Sequence, residues 1–257
     1  MTARQPLFHG WNWEDPDALA GRFDEFTAGL AGCQELEVVP GAPPHDLADF
    51  ERLGITGIEF AAFRTDHREG LATDLVGRTT QEAMTQPGQL YRVDGEDYFT
   101  ELDIADPLPF YDGCVEWVYA EHLIEHVPLP VAVGWLTEVR RILVPGGLVR
   151  LTTPDLRRYV EGYLDGSFFA SHARRLRMMK VGPPMPDRAA FMLNQVFFLY
   201  GHRWIYDHGE LRYALAEAGF DPAAIQPRTF RTGARPDVAA LDTTFRNDES
   251  IYVEATA

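Results

Sequence analysis

The sequence predicts an α/β protein built on a mostly parallel sheet, on three observations. Short β-rich runs alternate with helical patterns from residue 57 onward, and strands separated by crossover helices pair in parallel. The chain has 257 residues, 46% of them hydrophobic, enough to bury a full core in one unit. No internal repeat or low-complexity run competes with that reading.

Taken in order, residues 14–31 carry Leu19, Phe23, Phe26 and Leu30 at spacings of three and four, the stripe of an amphipathic helix. Another helical turn or two is expected in PPHDLADFERLG, so residues 1–54 are expected to form a helical cap ahead of the sheet. GIEF (57–60) and GLATDL (70–75) are expected as the first two strands. A Pro-Gly and an Asp-Gly turn, flanked by alternating aromatics, then predict an inserted hairpin over 77–100. CVEWVYA (114–120) is rich in β formers. LPVAVGWLTEVRRIL (129–143) has helical spacing through Val133, Leu136, Val139, Ile142 and Leu143, and Pro-Gly-Gly stops it before the strand LVRLTTP (148–154). Residues 157–200 are helical in pattern, broken where prolines interrupt VGPPMP, and are expected to form an inserted lid. YDHGELRYALAEAGF predicts a late helix capped by Gly219, and AIQPRTF and SIYVEAT predict two closing strands.

Bulk properties exclude several classes. A formal net charge of −16 repels a polyanion, so nucleic acid is not expected as a substrate. The basic cluster HARRLRMMK (172–180) reads either as a solvated helix face or as a local anion site. Cys33 and Cys114 have neither a CxxC spacing nor a Cys/His cluster beside them, which predicts ordinary thiols. Neither a membrane span nor a secretory leader is expected, which points to a cytoplasmic protein.

The segment ELDIADPLPFYDGCVEWVYAEHLIEHVPLPVAVGWLTEVRRILVPGGLVRLTTPDL resembles the central half of the class I S-adenosylmethionine-dependent methyltransferases, of the type 11 kind. It has an acid after the third strand (Asp103), a Glu-His-x-x-Glu-His stretch after the fourth (Glu121 to His126) and a Pro-Gly-Gly turn before the fifth (Pro145 to Gly147). The resemblance extends over residues 55–257. It implies a Rossmann-like fold with a mostly parallel seven-stranded sheet, helices on both faces, and S-adenosylmethionine as cofactor, bound beyond the carboxyl ends of the strands.

Under that resemblance Asp74 is the candidate for the ribose hydroxyls, with a plain turn acid as its other reading. Asp103 and Ile104 would meet the adenine amino group and ring, unless Asp103 merely caps a turn. At the first strand the glycine-rich loop is degenerate: Ala61 stands where a glycine is expected, and its methyl group would crowd the methionine moiety or shift the loop. Glu59 remains as an acid able to hold the ammonium by charge-assisted hydrogen bonds.

The resemblance places Glu121 and His122 along the pocket. His122 and His126 also have the i, i+4 spacing of a helical metal pair, but the family reading leaves no metal there. Tyr91, Tyr98 and Trp204 offer cation–π faces to a sulfonium or simply pack in the core. In GHRWIYDH, His202, Tyr206 and His208 lie near the lid; with His122 they are the candidate reactive groups, and the sequence does not choose a base among the histidines.

Three functions follow. The first is methyl transfer to a small-molecule acceptor. The second is a cyclase that turns the aminobutyrate arm of S-adenosylmethionine into a small-ring amino acid and releases methylthioadenosine. The third is a noncatalytic binding protein that keeps the fold. Oligomeric state is not readable from the sequence.

Overall fold

A computed structural model describes residues 30–179 and 188–257. The expected helix over 14–31 and the proline break at VGPPMP lie almost wholly outside those residues.

Among the described residues the sheet has nine strands rather than the expected seven. Its middle is parallel: β5 (Asp97–Glu101), β3 (Gly70–Asp74), β2 (Gly57–Phe60), β6 (Val115–Glu121) and β7 (Leu143–Pro154), in that spatial order. Burial of all four residues of β2 reflects layers covering both faces of the sheet. At one edge β4 (Leu90–Val93) and β1 (Leu36–Val38) add antiparallel to β5. At the other edge β9 (Ser250–Thr256) runs antiparallel between β7 and β8 (Gln226–Arg228).

Two of these strands correct the sequence reading. β1 falls in the stretch expected to be a purely helical cap, because its Leu-Glu-Val pairs with Tyr91, Arg92 and Val93 of β4. The hairpin expected as an insertion contributes its second arm, β5, to the parallel core, where Leu71 to Asp74 of β3 align with Tyr98 to Glu101. A turn signal reports that two strands are adjacent; it carries no information on what flanks the second one.

Helices close both faces. α1 (Leu47–Leu53) starts on an Asp46 capping box, stops at Gly54 with φ 72°, and packs Phe50 against Phe110 with the rings tilted at 53°. α2 (Leu129–Ile142) buries Ala132, Trp135, Leu136, Val139 and Ile142 against β7 and against α6 (His208–Glu217); of the expected stripe Leu136, Val139 and Ile142 are among them, Val133 is half-buried and Leu143 already belongs to β7. The lid consists of α3 (Leu156–Asp165), α4 (Phe169–Met179) and α5 (Ala189–Phe198). Its own apolar cluster includes Tyr159, Phe168, Phe169, Met192 and Val196, separate from the core beneath the sheet. A short helix α7 (Pro236–Ala239) precedes β9. Among the described residues no helix is long and apolar enough to cross a membrane.

From β2 the chain crosses to β3 and β5 on one side, then returns to β6 and β7 on the other. The switch point therefore lies between β2 and β6, and in an open α/β sheet a ligand crevice forms beyond the carboxyl ends there.

Candidate functional site

The carboxyl ends of β3, β5, β2 and β6 form one row. In register, Asp74 lies beside Glu101, Phe60 beside Thr73 and Ala120, and Glu121 beside Thr152. Acids thus end β5 and β3 on one side of β2 and β6 on the other, around the loop that begins at Ala61. A shallow depression lined by Glu116, Pro145, Gly146 and Arg235 lies at the opposite end of the sheet, away from the switch point.

Ala61 adopts φ 55°, the left-handed conformation that a glycine would hold without strain. The position has a glycine's backbone geometry with an alanine side chain. Its methyl group is exposed, and the Ala62 amide donates to the Thr73 carbonyl at 2.8 Å, which pins the loop to β3.

Glu59 does not face an open ammonium site. It is only 5% exposed and accepts from the Thr65 hydroxyl, from the His67 amide at 3.1 Å and from the Asp66 amide at 3.4 Å. Burial raises its carboxyl to about 7 despite those donors. These bonds fold loop 61–69 onto the sheet, so the oxygens expected to hold the ammonium are engaged by the loop's own donors.

The adenosine end is closer to expectation. Asp74 is half-buried, burial raises its carboxyl, and Oδ1 accepts from the Val76 amide at 2.9 Å. Exposed Asp103 caps its own turn through the Ala105 amide at 2.9 Å. Ile104 belongs to the core cluster, so it supports the floor of this end rather than standing free as a ring face. Tyr91 is buried with its hydroxyl accepting from Gln86, whereas Tyr98 is half-buried and Trp204 is exposed, donating to Glu210.

At the end of β6, Glu121 is fully engaged. Its two oxygens accept from the Thr243 amide at 3.0 Å and the Thr243 hydroxyl at 2.7 Å, anchoring the loop before β9. His122 has φ 52° and both ring nitrogens committed. Arg246 donates to Nδ1 at 3.0 Å, so Nε2 carries the hydrogen and donates to Ser250 Oγ at 2.7 Å.

The stretch after His122 is a short 3-10 turn, Ile124–His126, rather than a helix. The expected helical face shared by His122 and His126 is therefore absent. Glu125 is completely buried and accepts from Thr153 at 3.0 Å. Its backbone carbonyl accepts from the Arg203 amide at 2.7 Å, which fastens the loop carrying His202 beside it. His202 donates from Nδ1 to the Val196 carbonyl, and its ring meets that of His126 edge-on at 4.9 Å. His208 opens α6 on the surface.

Tyr206, expected among the reactive groups, is a core residue with no exposure. Burial pushes its hydroxyl well above the ordinary phenol value, and the hydroxyl has no hydrogen-bond partner. Such a group neither reaches a substrate nor exchanges protons near neutrality. Sequence reasoning missed Glu125, Thr243, Arg246 and Ser250. Glu125 lay inside the quoted motif; Thr243 and Arg246 come from a loop with no local pattern, and Ser250 opens the expected strand SIYVEAT.

Fold order, switch point and acid-ended strands together define a Rossmann-like class I methyltransferase fold. Residues 54–151 match the family model of a methyltransferase domain. No curated protein matches the chain. Among solved structures, it is similar to a putative methyltransferase of Haloferax volcanii held in complex with the Trm112 activator, at 16% identity, 84% of each chain and a TM-score of 0.41. It is also similar to an S-adenosylmethionine-dependent methyltransferase of Mesorhizobium loti, at 14% identity, 82% of this chain, 96% of that one and a TM-score of 0.43.

Proposed function

We propose that this protein transfers a methyl group from S-adenosylmethionine to a small-molecule acceptor. The row of acid-bearing strand ends at the switch point, inside the stretch that matches the methyltransferase domain, carries this reading. Asp74 suits the ribose hydroxyls: it is a half-buried carboxylate at a strand end, with one oxygen spent on Val76. Asp103 suits the adenine end from its turn over Ile104. The methionine end fits less well, because Glu59 is already committed to residues 65–67 and Glu121 to Thr243. An ammonium there is left to backbone carbonyls or to a rearranged loop.

The bound cofactor would supply an activated methyl group. The chain's own part is to orient the acceptor and exclude water, which is where most of the acceleration in such a displacement arises. His122 has no nitrogen left for proton transfer, so among the expected reactive groups it serves to hold the 246–250 loop. The net charge of −16 favours an acceptor other than a nucleic acid. Location in the cytoplasm belongs to the same reading.

Calorimetry tests the binding step. Asp74→Asn should bind S-adenosylmethionine at least about tenfold more weakly than wild type, the effect of roughly 1.4 kcal/mol from a charge-assisted bond. Equal affinities would remove Asp74 from the site. With an acceptor panel, S-adenosylhomocysteine should accumulate.

A second reading draws on the strained Ala61 turn and the engaged Glu59, which leave the ammonium uncommitted. It is internal cyclisation of the aminobutyrate arm. Methylthioadenosine formed from protein and cofactor alone would establish it in place of methyl transfer.

A further inference from the structure

Glu125, His126 and His202 converge although they lie on two separate segments. One potential ligand atom from each comes within 4.8 Å of the others. We infer that these three side chains form a binding site for a divalent transition-metal ion of the zinc class.

The first argument is the carboxylate. Glu125 has no solvent exposure, its Oε2 accepts from Thr153, and its Oε1 has no hydrogen-bond donor. A buried carboxylate oxygen without a donor is costly, so a positive charge is called for beside it. His122 Nδ1 lies 3.2 Å away. That nitrogen already accepts from Arg246 at 3.0 Å, so it has no hydrogen to give Glu125 while the Arg246 bond is made.

The second argument is the tautomer of His202. Its Nδ1 faces the Val196 carbonyl, which only accepts; the hydrogen is therefore on Nδ1 and the lone pair on Nε2. Metal-binding histidines are oriented in this way, by a carbonyl or carboxylate on the nitrogen opposite the ion. No hydrogen bond occupies His202 Nε2 or the ring nitrogens of His126 among the described residues.

The third argument is placement. The Arg203 and Trp204 amides both donate to the Glu125 carbonyl, at 2.7 and 3.2 Å, so the backbone holds the two segments together without an ion. Glu125 closes the inner side, His202 is half-buried and His126 is exposed. Two imidazoles and one carboxylate suit zinc, iron or cobalt rather than magnesium or calcium. Three protein ligands leave a coordination position open, here on the His126 side, for water or an oxygen donor. The spacing pattern alone pointed to His122 as the second imidazole; the left-handed turn at His122 and the 3-10 turn after it bring His202 into that place.

The test uses the full chain, stripped with chelator and titrated with Co²⁺, read by visible absorption, and with Zn²⁺, read by calorimetry. Wild type should bind one ion with d–d absorption typical of nitrogen and oxygen ligands. His202→Asn and Glu125→Gln should each weaken binding at least about tenfold. His126→Asn, at an exposed position whose change leaves the core intact, should do the same and keeps the test decisive if the Glu125 variant misfolds. His67→Asn, on the far side beside Asp237, should bind as wild type. Absence of Co²⁺ binding by folded wild type, or unchanged affinity in His126→Asn and His202→Asn, would overturn the site. Cofactor calorimetry on the stripped protein reads the methyltransferase proposal separately, so either can fail alone.

Discussion

Ala61 and Glu59 are two residues apart, and each carries a cost that the loop between β2 and β3 imposes. The left-handed backbone at Ala61 costs an L-residue about 1–2 kcal/mol. Ala61→Gly would relieve it, offset by about 0.5–1 kcal/mol from the greater freedom of glycine in the unfolded chain. The substitution should leave thermal stability unchanged or slightly raised, whereas Ala61→Val should lower it by more than about 1 kcal/mol, since a β-branched side chain fits this region worst. A clear loss for the glycine variant would show that the turn is not strained. For Glu59 the sign follows from its raised carboxyl, from 4.5 to about 7. The folded state keeps a proton that the unfolded chain releases, so Glu59 makes stability fall as pH rises between those values, by up to about 3 kcal/mol at 1.4 kcal/mol per unit. Below 4.5 both states are protonated and above 7 both are ionised, so its contribution levels off. Glu59→Gln should remove that slope in urea unfolding measured across the window. Parallel profiles for the two proteins would refute the assignment.

Among the elements, β7 and β9 are bound by a buried ion network as well as by their ladder. Arg150, with no exposure, donates to Asp242 at 2.9 and 2.6 Å and to Glu254 at 2.8 Å, and Glu254 also accepts from Arg228 at 2.7 Å. Removing the central cation strands two carboxylates in the interior. Arg150→Met should therefore cost about 3–5 kcal/mol in chemical denaturation, and adding Asp242→Asn should recover part of it. A loss below 1 kcal/mol would mean the network is solvated. β2 and β6 make a different demand. Gly57 pairs with Trp117, and a Cβ at Gly57 would lie 2.1 Å from the indole ring. Close approach, rather than backbone freedom, requires glycine there. Gly57→Ala should destabilise by about 1–3 kcal/mol or more, read as a lower melting temperature.

For the whole molecule, a ligand spanning the strand ends of β3, β5 and β2 should stabilise the fold as a unit. S-adenosylmethionine at about 100 times its Kd should add about 2.7 kcal/mol, seen as a melting temperature that rises with its concentration. Asp74→Asn should show a smaller rise at the same concentration, and no rise in wild type would count against the cofactor proposal. The lid joins this unit through a polar relay: Tyr159 donates to Glu249 and contacts His172 at 2.9 Å, and His172 meets Asp248 at 3.2 Å. That relay ties α3 and α4 to the loop that also supplies Arg246 to His122 and leads into Ser250 at the start of β9.

Much of this architecture is local and so was legible in the chain. The α2 stripe, the β6 and β7 runs, the Asp-Gly hairpin turn and the acids after strands follow from periodicity and turn chemistry, which act over a few residues. The resemblance from Asp103 to the Pro-Gly-Gly turn rests on the same kind of local signal. Which groups those acids meet was decided by tertiary structure alone. Glu59 turns to its own loop, Glu121 to Thr243, and Tyr206 into the core, because buried oxygens take whatever donors the fold brings within 3 Å or so. The lengthening of the sheet by β1, and the meeting of Glu125 and His126 with His202, likewise depend on strand pairing and loop anchoring between distant segments, for which spacing along the chain provides no measure.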